Sequence, residues 1–186
     1  MGRTDCGMRD LNEKTVNTKV VFTGKVFNAV VRDVELSDGS EAVREVVIHT
    51  GGACILPVDN ELNCYLVRQF RSGAEEVLLE VPAGKIEKGE DPLHCALREI
   101  VEETGFEAGK TESLGFIYPT PAYCSERIHL YIGTDLKYVG SSPDAGEFLG
   151  VEKVPLSELI EMCNNGEIRD GKTLACINRA AWRYLR

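Results

Sequence analysis

Between Gly84 and Phe106 the chain reads GKIEKGEDPLHCALREIVEETGF, and this segment constrains the fold and its chemistry more than any other. Three carboxylates, Glu99, Glu102 and Glu103, fall within little more than one helical turn, beside Arg98. Helix periodicity places positions 99, 102 and 103 on one face. Like charges at this spacing cost an isolated helix roughly 0.2–0.5 kcal/mol per pair. Anions in the last turns also oppose the macrodipole, by roughly 0.3–1 kcal/mol each. A sequence that breaks local rules in this way is serving a site, and three hard oxygen donors on one face suit a divalent cation such as Mg2+. The rest of the segment specifies the helix well. Asp91 is a good N-cap, Pro92 sits at the first helical position, and Gly105 is placed to stop the helix. Leu93, Ala96, Leu97 and Ile100 form an opposite apolar face that should dock on a sheet. The plain alternative is an amphipathic helix with a solvated acidic face.

Around this helix the chain reads strand-rich first and mixed later. Lys25 to Leu36 and Glu41 to His49 form two strands joined by the hairpin signal Ser37-Asp38-Gly39. Ala53 to Val58, Leu62 to Phe70 and Val77 to Val81 are three more, with further strands near Ser113 to Tyr118 and Arg127 to Thr134. Pro155 to Cys163 reads as a short helix ended by Asn164-Asn165-Gly166, and Asp170 caps a last helix reaching about Leu185. The order implies an α+β or three-layer core, with an antiparallel sheet at about residues 15–48 as an appendage.

Composition sets outer bounds. The 186 residues suit one domain, perhaps with a small addition, and the net charge of −9 argues against a basic nucleic-acid surface. Seven cysteines, an odd number without a CxxC pair, read as small buried hydrophobes in a reducing compartment. The segment MGRTDCGMRD has no apolar run of the secretory type, and no stretch is long enough to span a bilayer. The expectation is a cytoplasmic protein with neither membrane nor nucleic-acid partner.

One competing motif is present. Gly166 to Thr173, GEIRDGKT, matches the phosphate-loop pattern GxxxxGK[ST]. A true phosphate loop follows a buried strand and opens a helix. Here a helix and an Asn-Asn-Gly turn precede it, and Glu167 and Asp170 put two carboxylates into the would-be phosphate cradle. A capped loop before the C-terminal helix is the better reading. His49, His94 and His129 are scattered and read as structural, although His49 could line a site. Trp182 lies on an apolar helix face with Leu174, Ile177 and Leu185, and reads as a core or dimer contact.

The spacing of the acidic segment carries a resemblance. It runs Gly, five residues, Glu, seven residues, Arg-Glu-apolar-any-Glu-Glu-any-Gly-apolar, with Gly84, Glu90, Arg98, Glu99, Ile100, Glu102, Glu103, Gly105 and Phe106 in the defining places. This resembles the Nudix box of hydrolases that act on nucleoside diphosphates linked to another group. Leu79-Glu80-Val81-Pro82-Ala83-Gly84 is similar to the lead-in of the ADP-ribose and nucleotide-sugar pyrophosphatases, and Val67 to Arg71 to the strand before it. Tyr118 to Glu126 resembles the segment in which a proline about sixteen residues past the box glycine marks ADP-ribose specificity, and Pro121 fits that place. Many relatives carry Gly where Ala122 stands. Asp144 to Phe148 resembles the loop that supplies the general base.

The resemblance implies a Nudix-type α/β/α sandwich at residues 49–186 and a β appendage at residues 1–48 that dimerises. It implies a Mg2+-dependent enzyme, with Mn2+ as substitute, that cleaves ADP-ribose to AMP and ribose 5-phosphate. Glu99, Glu103 and the Ala83 carbonyl would hold metal, with Glu102 in the same cluster and Arg98 orienting a box glutamate beside Glu90. Arg71 would contact phosphate, Glu80 a ribose and Pro121 the substrate. Arg44 would stack on adenine or remain a solvated strand residue. Glu147 is the candidate base and Glu126 the runner-up. Another nucleoside-diphosphate sugar such as GDP-mannose is the alternative substrate, and a catalytically silent ligand sensor the alternative function.

Overall fold

The computed structural model describes residues 10–141 and 150–184 of the chain. The chain divides into two units, Met1–His49 with Thr120–Ser125, and Thr50–Pro119 with Glu126–Arg186.

The first unit is an antiparallel meander of β1 (Lys14–Thr23), β2 (Asn28–Glu35) and β3 (Glu41–Ile48). The Asp38 carboxylate accepts the Ser40 N–H at 2.9 Å, and Gly39 takes the left-handed φ of 81° that closes the β2–β3 turn. β1 is not among the strands named from the sequence, although the sheet itself was placed at about residues 15–48. Its pairing with β2 breaks register between Thr15 and Asn17 and again between Val20 and Phe22. Such bulges erase the two-residue alternation by which a strand is read. Beside the far end of β3, Val47 donates its N–H to the Tyr123 carbonyl at 2.7 Å and accepts from the Ser125 N–H at 2.9 Å. The segment Thr120–Ser125 is thereby fixed to this sheet.

The second unit contains β4 (Gly52–Pro57), β5 (Asn63–Arg71), β6 (Glu76–Glu80), β7 (Ala83–Lys85), α1 (Pro92–Thr104), β8 (Phe106–Ile117), β9 (Ile128–Tyr138), β10 (Gly150–Pro155), α2 (Leu156–Asn165) and α3 (Gly171–Tyr184). A four-stranded mixed sheet has the order β7-β4-β9-β8, with β4 and β9 parallel. A three-stranded antiparallel sheet has the order β10-β5-β6. Every residue of β4 is buried, as suits a central strand covered on both faces. Ala53 and Ile55 pack on Cys95, Ala96 and Ile100 of α1. Cys54 and Leu56 face the other way, into a core with Leu66, Leu130, Leu159 and Ile177. Each fully buried Leu or Ile contributes roughly 1.5–3 kcal/mol. The result is the α/β/α sandwich expected of the resemblance.

Several details differ from the sequence expectation. Cys95, rather than Leu93 or Leu97, joins Ala96 and Ile100 on the fully buried face of α1, because the helix turns its Cys95–Ala96–Ile100 stripe to the sheet. β7 and β10 were not anticipated: Ala83–Lys85 has little strand propensity and is extended by pairing with β4. Trp182 is not a core residue; it is 63% exposed, while Cys176, Ile177 and Ala180 of the same helix are buried. The GxxxxGK[ST] stretch is a helix–helix connection, as the capped-loop reading holds. Asp170 accepts the Thr173 N–H at 2.9 Å and so caps α3. Cys54, Cys64, Cys95 and Cys176 are buried free thiols, and burial pushes those of Cys64 and Cys95 up to about 12. Among the described residues no helix is long and apolar enough to cross a membrane.

Candidate active site

The local rules that predicted α1 also position its acidic face. The Asp91 side chain accepts the Leu93 N–H at 2.9 Å, Pro92 follows, and Gly105 closes the last turn with φ of 77°. Arg98 lies at the centre of the carboxylates. Its Nη1 donates to Glu99 Oε1 at 2.6 Å and to Glu102 Oε2 at 2.9 Å. Its Nε donates to Glu90 Oε1 at 3.1 Å. The Arg98 bond, together with the Glu87 N–H, holds the Glu90 carboxyl below the usual carboxylate range. The hydrogen bonds that Arg98 donates to these carboxylates, Glu90 first, in turn raise its guanidinium. One cation thus compensates the crowding that makes this helix costly by itself.

The other wall is the backbone of β7. Glu103 is 3% exposed, and its Oε2 accepts the Ala83 N–H at 3.1 Å. Glu99 closes over Gly84 so tightly that a Cβ there would lie 1.6 Å from Glu99 Oε1. The glycine is therefore required by a side chain of the site rather than by a turn. Gly84→Ala is expected to fold, because the obstructing atoms are the far end of a flexible side chain, but to displace the Glu99 carboxylate. The expected loss in kcat/KM is on the order of a hundredfold, about 3 kcal/mol, with an unchanged melting temperature. Wild-type turnover in this variant would show that the position of Glu99 is immaterial.

Ala83, Glu99, Glu102 and Glu103 are thus gathered at one edge of the second unit. Their oxygens are hard donors of the kind a divalent cation takes. Among the described residues no three His, Cys, Asp or Glu side chains form a ready-made metal shell, since Arg98 engages Glu99 and Glu102 and Glu103 is turned to Ala83. Glu126 borders the same strand edge. A Cβ on Gly52, the β4 residue paired with Lys85, would lie 4.0 Å from Glu126 Oε1 and 3.1 Å from the Gly84 carbonyl. Glu147 lies outside the described residues.

Arg71, on the last position of β5, forks onto Glu80: Nε and Nη2 each donate at 2.8 Å to one carboxylate oxygen. Glu80 also accepts from Lys172 and is fully buried. Glu80 was expected at a ribose. The structure instead encloses it between two cations, because a buried carboxylate requires partners for both oxygens. Burial alone would raise its pKa, but the Arg71 bond and the Lys172 charge overcome this and leave it lowered. Arg71 is raised by that bond first, with the fields of Glu103 and Asp170 adding to it. Of the α1 carboxylates, Glu103 is the one whose charge acts on the Arg71 guanidinium. Lys172, Asp170 and Thr173 were missed by sequence reasoning as parts of this site. Their only signal was the discarded GKT stretch.

Arg44 and Pro121 lie in the first unit and line one cleft of about 450 Å³, together with Arg32, Tyr123 and Ser125. Arg44 makes a forked pair with Glu13, at 3.0 and 2.6 Å. The pair is exposed on both sides, and exposed pairs of this kind are readily exchanged for a ligand.

Comparison with known proteins identifies the family. The model of the NUDIX domain matches residues 48–176. The chain is 37% identical over 172 residues to an ADP-ribose pyrophosphatase of Bacillus subtilis (strain 168), covering 91% of this chain and 93% of that protein. It is 38% identical over 167 residues to a methanol dehydrogenase activator of Bacillus methanolicus, covering 89% and 90%. A crystal structure of an ADP compounds hydrolase superposes with a TM-score of 0.82 at 22% identity, covering 95% of this chain and 96% of that one. With the box helix laid against its glycine loop and relatives matching over nearly the whole length, the chain belongs to the Nudix hydrolase family, whose members act on pyrophosphate bonds with divalent metal.

Proposed function

We propose that the protein is a Mg2+-dependent hydrolase of ADP-ribose, yielding AMP and ribose 5-phosphate. The observation that carries this reading is the packing of Glu99 and Glu103 of α1 onto the Ala83–Gly84 backbone. The likeness to the Bacillus subtilis enzyme supports the choice of ADP-ribose. Glu99, Glu103 and the Ala83 carbonyl would hold the cation, with Glu102 beside them. When bound, Mg2+ supplies charge neutralisation at the pyrophosphate. Arg71 would bind a phosphate oxygen. Glu147, or failing that Glu126, takes a proton from water as its oxygen attacks phosphorus and the bridging P–O bond breaks. Arg98 orients Glu99 and Glu102 through the hydrogen bonds of its Nη1.

A substrate panel with purified protein tests this. Turnover is expected to be highest with ADP-ribose, to disappear on chelation and to return with Mg2+ or Mn2+. A preference for GDP-mannose would move the substrate assignment. Tight ADP-ribose binding without turnover in Mg2+ would make the protein a sensor.

We also propose that residues 1–48 are a dimerisation appendage to a hydrolase domain at residues 49–186. Every residue of β1 is exposed, and Val16, Val20, Val21 and Phe22 are each more than half exposed. Contiguous apolar surface on an edge strand calls for a partner. Light scattering at micromolar concentration is expected to show a dimer, and Val20→Lys with Phe22→Lys a monomer. A wild-type monomer would defeat the assignment.

A further inference from the structure

The stretch that imitates a phosphate loop places Lys172 against Glu80, the partner of Arg71. We propose that Lys172 is a positioning residue for the substrate pyrophosphate, holding the buried Glu80 carboxylate that in turn aims Arg71. This rests on the reading of Arg71 as a phosphate contact.

The geometry is a graded chain from interior to surface. The Lys172 side chain is 10% exposed, Glu80 1% and Arg71 39%. Lys172 Nζ donates to Glu80 and, at 3.0 Å, to Asp170 Oδ2. Glu80 presents both oxygens to Arg71. A guanidinium carries five N–H donors. Two are committed to Glu80, which fixes the plane of the fork and leaves the remainder for an anion. Asp170 is itself pinned, accepting the Thr173 hydroxyl at 2.6 Å and the Thr173 N–H at 2.9 Å. The same hydroxyl accepts the Val81 N–H at 2.9 Å. The first turn of α3 is therefore latched to the residue following Glu80.

The four charges, Arg71, Lys172, Glu80 and Asp170, balance. Removing Lys172 leaves a buried carboxylate one cation short, a state costly enough that the side chain will move or draw in water. Either response unfastens Arg71. A guanidinium already held in its bound orientation loses less freedom when it meets phosphate, so the role of Lys172 appears in substrate affinity rather than in the chemical step.

Kinetics with ADP-ribose in Mg2+ separate this role from a purely structural ion pair. Lys172→Met is expected to raise KM about tenfold with kcat reduced less than about threefold, the mark of lost ground-state binding. Lys172→Arg should recover most of the loss. In an Arg71→Ala background the Lys172→Met change should add less than about twofold, since residues acting through one contact are not additive. Unchanged KM in Lys172→Met, or full additivity with Arg71→Ala, would overturn the proposal while leaving the hydrolase reading intact. If Lys172→Met is insoluble, Lys172→Gln carries the same cycle with the same criteria. Wild-type protein inactive on every nucleoside-diphosphate sugar would overturn both.

Discussion

Glu103→Gln is expected to lower kcat for ADP-ribose at least a hundredfold, on the order of 3 kcal/mol, without unfolding the protein. The substitution keeps size and shape. Its amide carbonyl can still accept the Ala83 N–H that Glu103 Oε2 now accepts at 3.1 Å. What is lost is one negative charge among the oxygens proposed to hold Mg2+, and hard cations depend strongly on ligand charge. The side chain is 3% exposed, so no dissolved anion can stand in for that charge. Removing it also relieves repulsion from Glu99 and Glu102, so the metal-free protein should melt at the same temperature or higher. Raising Mg2+ should recover part of the activity. Near-normal turnover at ordinary Mg2+ would remove Glu103 from the metal site.

The acidic helix was legible because each of its determinants is local. Asp91, Pro92 and Gly105 act within one or two residues of themselves, and the clash of carboxylates is visible from spacing alone. Their compensation is also local, since Arg98 reaches Glu99 and Glu102 along its own helix. What sequence reading lost was held by distant partners. Ala83–Lys85 is a strand because β4 lies beside it. Gly150–Pro155 is one because β5 does. β1 failed for a different reason, two register breaks that scramble alternation.

Glu80 shows the same limit within the site. Its position before the Pro82-Ala83-Gly84 lead-in suggested contact with substrate, yet its surroundings are set by Lys172, which lies 92 positions along the chain. No pattern near Glu80 predicts that a lysine from the start of α3 will enclose it. The GKT stretch drew attention for the wrong geometry. Its carboxylate, Asp170, excluded a phosphate loop and proved to be the group that caps α3 and holds Lys172 in place.

The other large effect expected is at the base. Glu147→Gln should lower kcat by roughly 10²–10⁴, the usual worth of general base catalysis, with KM little changed. A group that takes its proton only as water attacks contributes to the transition state and not to ground-state binding, so the two constants must separate. The acid limb of the pH–rate profile should weaken in the same variant, because that limb reports protonation of the base. Glu147 rests on the resemblance of Asp144 to Phe148, whereas Glu126 has a position in the structure, at the Gly52–Gly84 strand edge beside the proposed metal ligands. Glu126→Gln in the same assay therefore decides between them. If Glu147→Gln retains parental activity and Glu126→Gln is dead, the base is Glu126. If both variants remain active, neither carboxylate is required, and water is activated without a separate protein base.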